Sequence, residues 1–357
     1  MKILYYSRGL TVHDQRFLTA LAESEHQAYF LRLETPSASE QQSSLPDGVG
    51  EPAAPGTDLQ QVIDAVQPDI VHAGPLHTGG ALAAQSGFHP LVLMSWGSDI
   101  LYEAEHDPER KAAISRALEA TDVLIADCLA VRDKAREYGF PADQIVVFPW
   151  GVDLERFSPT GGDGGLRARL GWQDAFVLLH LRAWEPLYGV ETLAHAFVLA
   201  AKQDERLRLM LPGAGSLGQM LIDIFEQGGV QDRVHVPGAL NQPDLPAYYR
   251  ATDLYLSASR SDGSSVSLME ALACGLPTLV SDIPCNREWV SHEQEGWLFP
   301  VDAVGALAAA ILRVATDPAQ LQPIRGHARR KAEAKANWTT NQTGLFAAYD
   351  LARSRHA

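Results

Sequence analysis

Residues 259–277 read Ser259-Arg260-Ser261-Asp262-Gly263-Ser264-Ser265-Val266-Ser267-Leu268-Met269-Glu270-Ala271-Leu272-Ala273-Cys274-Gly275-Leu276-Pro277. Small polar residues form a turn, an apolar stretch of helical spacing follows, and Gly-Leu-Pro leads into the branched run beginning at Thr278. A turn of this kind gathers free backbone N–H groups at a helix N-terminus, where their partial positive charge favours an anion. Asp262 precedes the helix and Glu270 lies inside it, about two turns along. One carboxylate in this arrangement can meet a sugar while the other holds a ribose. Spacing alone fits a plainer reading equally well, with Asp262 and the serines capping the helix and Glu270 on its surface.

Working outward, the motif stands in the middle of a strand–helix alternation. Phe176–Leu181, Leu207–Leu211, Val234–Val236, Leu254–Ser257, Thr278–Val280 and Trp297–Phe299 are the expected strands of the second half. Helical patterns cover Val190–Ala201, Gly218–Gly228, Leu245–Ala251, Val266–Cys274 and Val304–Thr316. The first half repeats the design, with strands expected at Ile3–Ser7, Ala28–Leu33, Asp69–Ala73, Leu91–Trp96, Val123–Ala126 and Ile145–Phe148. Short apolar runs alternating with helices imply parallel sheets covered on both faces. The α/β chain is therefore expected to have an N-terminal domain over residues 1–150 and a C-terminal domain over 160–336, with a last helix at about 338–353. Gly161 to Gly165 has the composition of a linker, and Thr35 to Thr57 reads as a long polar loop without structure of its own.

Composition narrows the function. The 357 residues suit two domains, and 46% hydrophobic residues supply two cores. The net charge is −15; residues 1–150 hold 10 Lys and Arg against 21 Asp and Glu, and residues 151–357 hold 19 against 23. Such a surface argues against nucleic acid as a partner, since that binding rests on cationic neutralisation of phosphates. Membrane association is expected to be peripheral at most: the longest apolar stretches fall far short of the roughly 20 residues a bilayer needs. Met1 to Tyr6 reads as a first strand and not as a signal peptide. Cys128, Cys274 and Cys285 have no disulfide or zinc spacing, pointing to a cytoplasmic location, extending to the inner membrane face.

With these residues in view, the 259–277 segment resembles the E-x7-E motif of glycosyltransferase family 4, the retaining "glycosyl transferases group 1", with its continuation E-A-x-A-C-G-x-P. Asp262 stands for the first glutamate and Glu270 matches the second. Pro149 to Pro159 resembles the interdomain segment of that family. Ser281 to Glu288 and Gly296 to Pro300 resemble the strand, turn and strand after the motif, and Trp338 onward the segment that returns to the first domain. The resemblance implies a GT-B fold: two Rossmann-like domains facing a central cleft, with the C-terminal helix crossing back to the N-terminal domain. It implies transfer of a sugar from a nucleoside-diphosphate donor, UDP-sugar favoured, to a hydroxyl on a glycan, lipid-linked or small-molecule acceptor. Asp262 would orient the sugar, Gly263, Ser264, Ser265 and Val266 would face the diphosphate, Glu270 would bind the ribose, and Arg260 and Glu288 would lie in the donor site.

Arg182, just after the strand Phe176–Leu181, matches a family arginine directed at the diphosphate. The family also carries a lysine five residues later; this chain reads Ala183-Trp184-Glu185-Pro186-Leu187-Tyr188-Gly189, without one and with an extra residue. Arg260 or Arg16 is the candidate for the missing charge. On the acceptor side, Trp96-Gly97-Ser98-Asp99 resembles the family's H-G-S-D segment with Trp96 in the histidine position, and Asp14 and Arg16 sit where the first strand meets its helix. Asp14 is equally readable as a helix cap.

No carboxylate pair has the spacing of a metal-dependent transferase: Asp69, Asp122 and Asp253 stand alone in sequence, and His72 and His77 bracket a Gly-Pro turn without converging partners. The expected chemistry is metal-independent, needs no cofactor, and rests on electrostatic stabilisation of the departing diphosphate. A sugar-nucleotide epimerase or phosphorylase of similar fold, and a non-catalytic sugar-nucleotide or glycan-binding protein, remain alternative readings.

Overall fold

The branched apolar runs fold as strands because each can bury both faces under helices. The computed structural model describes residues 1–36 and 44–356. Two compact units result: Met1–Trp150 with the segment from Thr339 onward, and Gly151–Trp338. Among the described residues no helix is long and apolar enough to cross a membrane.

The first unit contains β1 (Lys2–Ser7), β2 (Gln27–Arg32), β3 (Ile70–Gly74), β4 (Leu91–Met94), β5 (Val123–Ala126) and β6 (Ile145–Val147), in the order β2-β1-β3-β4-β5-β6. All pairs are parallel, with Ile3 opposite both Ala28 and Ile70. The C-terminal helix Thr343–Ser354 packs on β4, β5 and β6, burying Leu345, Ala348, Tyr349 and Ala352. Tyr349 reaches His72 at 2.8 Å, so His72 is a core residue; burial lowers its pKa to about 3. Part of the segment expected to lack structure is ordered. Gly50 bridges Tyr29 in parallel, Gly56 donates to the Arg32 carbonyl, and Arg32 pairs with Glu51 at 3.1 Å, so these residues follow the outer edge of β2. Residues 37–43 of that segment lie outside the described residues.

The second unit contains β7 (Phe176–Leu179), β8 (Leu207–Met210), β9 (Val234–His235), β10 (Leu254–Ser257), β11 (Thr278–Ser281) and β12 (Gly296–Phe299). Their order is β12-β11-β10-β7-β8-β9, again all parallel. Strands seven to nine proceed one way from the centre and ten to twelve the other, so connections leave β7 and β10 in opposite directions. Such a switch point opens a crevice at the C-terminal ends of the two strands, where ligands bind in open α/β sheets. Val190–Ala201 and Val304–Thr316 pack together on this sheet, and Leu321–Lys335 backs the Val266–Ala273 helix.

The Gly161 to Gly165 run lies inside this unit, contrary to its linker composition: the Arg250 guanidinium packs against Gly161, and Asp163 caps the backbone of Gly165 and Arg167. The chain passes between units at Trp150–Gly151 and again at Trp338–Thr339. Val152 and Trp338 bond these passages side by side, and Gly151 has φ +72° with Trp338 backbone against its Cα, which leaves no room for a side chain.

Candidate active site

The crevice at β7 and β10 receives two opposite charges, Arg182 from the loop after β7 and Asp262 from the motif. Two residues after β7 ends at Leu179 comes Leu181, then Arg182; β10 ends at Ser257 and its loop carries Asp262. The Arg182 Nη2 and Asp262 Oδ2 are 2.8 Å apart, with side chains only 14% and 13% exposed. Nη1 donates to Ser265 Oγ at 3.1 Å, and Cζ lies 4.2 Å from the centre of the Tyr188 ring. Arg182 Nε is enclosed and has no acceptor among the described residues. The guanidinium is thus gripped on one edge and one face, with the other edge left over.

Burial acts against both charges. It pushes the Asp262 carboxyl above the usual range, opposed by Arg182, the Gly263 N–H and Ser265. For Arg182 burial works against the cation, but Asp262 and the flanking tyrosine oxygens outweigh it, and the guanidinium stays charged. His180, wholly buried at the end of β7 and bonded through Nδ1 to the Leu256 carbonyl, is held neutral, its pKa lowered to about 4 by burial. His180 therefore adds no second positive charge beside Arg182.

Gly263 donates its N–H to Asp262 Oδ1 at 3.0 Å, and Ser265 is the residue before the helix Val266–Ala273. The side chain of Ser265 makes no capping hydrogen bond to the first turn of that helix, whose N-terminal amides carry the positive end of its dipole. Ser265, Ser267 and Tyr255 continue inward as a hydroxyl chain at 3.3 and 2.7 Å. Cys285, from the short helix Pro284–Arg287, donates to the Asp262 carbonyl at 2.6 Å and fixes the turn from behind. Glu270 is buried, not on a helix surface as the plainer reading has it; its Oε2 accepts from Tyr249 Oη at 2.7 Å. Tyr249 also donates to the Ser267 carbonyl, so it ties the carboxylate to its own helix.

Arg260 and Glu288, also expected on the donor side, have the following contacts. Arg260 pairs with Asp302 at 2.9 Å and bonds the Pro186 carbonyl at 2.6 Å. It secures the loop 186–189 and is not a spare charge beside Arg182. Glu288 is half-buried after the short helix, where its carbonyl accepts from Lys335. The position before Gly189, where the family's lysine is expected, holds Tyr188. Gly189 has φ +59° and abuts the Ala258 carbonyl, which pins the 183–189 loop on β10 and places the Tyr188 ring against Arg182.

In the first unit the acceptor-side expectations divide. Asp14 is fully buried: Thr11 N–H and Oγ1 donate to it, Tyr5 Oη donates at 3.0 Å, and Thr11 accepts from the Asp14 N–H. This capping box opens the helix Val12–Ala22, as the cap reading has it. Burial raises the Asp14 pKa against those hydrogen bonds. Asp99 is 1% exposed and accepts from Ser95 Oγ, Leu76 N–H and Ile100 N–H; it staples the turns after β3 and β4. Arg16 is half-buried. Trp96 remains at the edge, its ring 5.9 Å from His13 and its Nε1 enclosed without a hydrogen-bond partner among the described residues; Ser98 reaches Glu103 at 3.4 Å. Sequence reading set aside His77, which faces Glu103 at 3.3 Å, while Arg110 contacts the same carboxylate.

Among the described residues the one metal-type grouping, His89 with Asp122 and His356, lies at the N-terminal edge of β4 and β5, away from these loops. A hollow of about 690 Å³ beside Lys202, Arg206 and Arg233 lies at the N-terminal edge of β8, where Arg206 is already paired with Asp204.

Comparison with known proteins agrees with this architecture. Residues 166–335 match the family described as "Glycosyl transferases group 1", and residues 7–156 match "Glycosyltransferase Family 4". A D-inositol 3-phosphate glycosyltransferase of Catenulispora acidiphila is 30% identical over 301 residues, 79% of this chain and 72% of that protein. Another so named, from Streptomyces bingchenggensis, is 28% identical over 285 residues, 74% of this chain and 63% of that protein. For several of these relatives the alignment spans less than two thirds of their length. The structure of HepE from Anabaena in complex with UDP matches with a TM-score of 0.81 at 21% identity, over 98% of this chain and 100% of that one. Sucrose-phosphate synthase from Thermosynechococcus elongatus gives 0.81 at 19% identity, over 98% of each chain. These likenesses establish the fold, two Rossmann-like domains of GT-B type, and with the sequence matches they show that the chain belongs to the group 1, family 4 glycosyltransferases.

Proposed function

We propose that the chain is a retaining glycosyltransferase that moves a sugar from a nucleoside diphosphate, UDP in the first instance, to a hydroxyl acceptor. The observation that carries this reading is the buried Arg182 guanidinium, held by Asp262 and Ser265 at the β7/β10 switch point beside an uncapped helix N-terminus. In this reading the diphosphate lies against Arg182 and the amides of 264–266. Asp262 orients the sugar, and Glu270 takes the ribose hydroxyls while Tyr249 holds its other oxygen. Charge grows on the leaving diphosphate as the glycosidic bond breaks, and prearranged donors in a dry site stabilise that charge best. The leaving phosphate oxygen accepts the acceptor's proton, and the acceptor oxygen bonds the anomeric carbon on the face being vacated, so the configuration is retained without a protein nucleophile. The half-buried edge of the first unit around His77, Trp96, Ser98 and Glu103 is the acceptor side in this reading. UDP bound to HepE and the names of the D-inositol 3-phosphate glycosyltransferases support the donor class and the reaction type.

The test is a melting-temperature panel of UDP-, GDP- and ADP-sugars on the native chain, Arg182→Ala and Glu270→Ala. A rise with one UDP-sugar that disappears in both variants is expected; a rise unchanged in both refutes the site. One observation favours a second reading, a non-catalytic binder: Arg260, one candidate for a second cation beside Arg182, is tied to Asp302. Slow release of free sugar from the stabilising donor separates the two, because a binder saturates without turnover.

A further inference from the structure

At the N-terminal edge of the first unit, Asp122 lies between two imidazoles. His89 Nδ1 is 2.7 Å from its Oδ2, and His356 Nε2 is 2.8 Å from its Oδ1. The two rings are near-parallel, 5.5 Å apart, and the three donor atoms all fall within 4.8 Å of one another. Each residue comes from a different place: His89 precedes β4, Asp122 precedes β5, and His356 follows the helix Thr343–Ser354. We propose that these three side chains form a transition-metal site of the zinc class that fastens the C-terminal helix to the sheet.

The donor set decides the class of metal. Two imidazoles and one carboxylate suit Zn(II), Ni(II) or Cu(II), whereas Mg(II) and Ca(II) require oxygen shells. Bonds of about 2.1 Å at tetrahedral angles put ligand atoms about 3.4 Å apart. The present separations open to that value by small rotations of two imidazoles that are 41% and 37% exposed. Asp122 does not have to move: its side chain is 13% exposed, and Leu91 N–H donates to Oδ2 at 2.7 Å, the outer support that orients a metal-bound carboxylate. The neighbouring cation, Arg355, is turned to the Gln144 side-chain oxygen at 2.7 Å, with the Gln144 amide oriented to satisfy both its partners. Solvent completes the coordination sphere. The site lies at the opposite end of the sheet from the loops after β1, β3 and β4, so the metal acts on the anchoring of residues 343–356 and takes no part in sugar transfer.

The experiment uses the full chain, without a polyhistidine tag, freed of metal by chelator and dialysis. Calorimetric titration with zinc chloride is expected to show one saturable equivalent. Zinc at a hundredfold excess over Kd should raise the melting temperature by about 5–10 °C, and magnesium or calcium should not. Co(II) should give visible d–d bands. His356→Ala and Asp122→Asn are each expected to weaken zinc binding by at least about tenfold, since even outer-shell partners are worth that much; His292→Ala should not. Both variants change partly exposed side chains, and unaltered circular dichroism shows that they fold. Absence of a saturable equivalent, or zinc binding unchanged in both variants, overturns the site. A melting temperature lowered in the variants yet indifferent to zinc in the native chain also overturns it, leaving a plain hydrogen-bonded clamp.

Discussion

Arg182→Ala separates the two duties assigned to that side chain. In the native protein its guanidinium neutralises Asp262 at 2.8 Å, both side chains being nearly enclosed. Removing one partner of a buried pair leaves the other charge uncompensated, at about 3–5 kcal/mol. Gly151–Trp338 forms the affected unit, and for a domain of this size the penalty lowers the melting temperature by about 6–20 °C. The sign of the pH dependence follows from Asp262. Burial already raises its pKa, and loss of Arg182 removes the main opposing influence. A carboxyl raised in the folded state costs stability once the pH exceeds its ordinary range, and the cost grows until the folded pKa is passed. The melting deficit of Arg182→Ala should therefore shrink on acidification from pH 8 towards pH 5. Adding Asp262→Asn removes the stranded charge and should restore most of the melting temperature at pH 8 without restoring the response to UDP. Scanning calorimetry of the three proteins, with and without UDP, reads both effects. An Arg182→Ala protein as stable as the native chain at pH 8 would refute the buried pair, and a double variant still stabilised by UDP would refute the phosphate role of Arg182.

Three further outcomes follow from the same geometry. Tyr188→Leu shortens the side chain and removes the ring over the Arg182 guanidinium; the contact exists in the unliganded fold, so losing about 1–2 kcal/mol should lower the melting temperature by about 2–8 °C, and UDP should bind more weakly by calorimetry because the guanidinium is no longer held in one orientation. Gly189→Ala places a methyl group on the Ala258 carbonyl at φ +59°, so a fall in melting temperature and in UDP affinity together is expected, from strain of about 1–3 kcal/mol or more. Asp14→Ala removes the cap of Val12–Ala22 and leaves the Tyr5 hydroxyl unpaired. It should cost about 2–4 kcal/mol by thermal or urea unfolding yet leave the UDP-induced rise intact; loss of that rise would return Asp14 to a functional role.

What could be read in advance follows from which forces act locally. The strands were legible because a strand buried on both faces must be a short apolar run between turns, as in Val123–Ala126 and Leu254–Ser257. The helix Leu321–Lys335 was not. Its buried stripe is Leu321, Ile324, Ala328 and Ala332, narrow and small, amid arginines and lysines, and Pro323 and Gly326 argue against a helix. Pro323 is tolerated because it falls in the first turn, where its missing N–H has no intrahelical acceptor. The stripe is small because it lies against the Val266–Ala273 helix at close range. Asp14 and Asp99 show the converse difficulty: an aspartate at a strand end looks the same in sequence whether it faces a ligand or its own backbone. One local signal did exist, the Thr11-x-x-Asp14 spacing of a capping box.

The candidate site was legible in its acids and in Arg182 but not in the contacts that give them their properties. Tyr188 reads as an absence of lysine, and only the fold turns it into a presence, since the left-handed Gly189 closes the loop so that the ring lands on the guanidinium. Tyr249 stands 21 residues before Glu270, and Asp122 stands 33 residues from His89 and 234 from His356. Pairings over such separations leave no periodic trace. For the proposed reaction the consequence is physical. A second cation would add Coulombic attraction in ground and transition states alike, whereas a ring on one face of Arg182 adds no charge and limits how the guanidinium can turn. In the proposed reading the diphosphate is stabilised by the oriented N–H fork of Arg182 together with the amide dipoles at 264–266, and the Tyr188 ring fixes the direction of that fork.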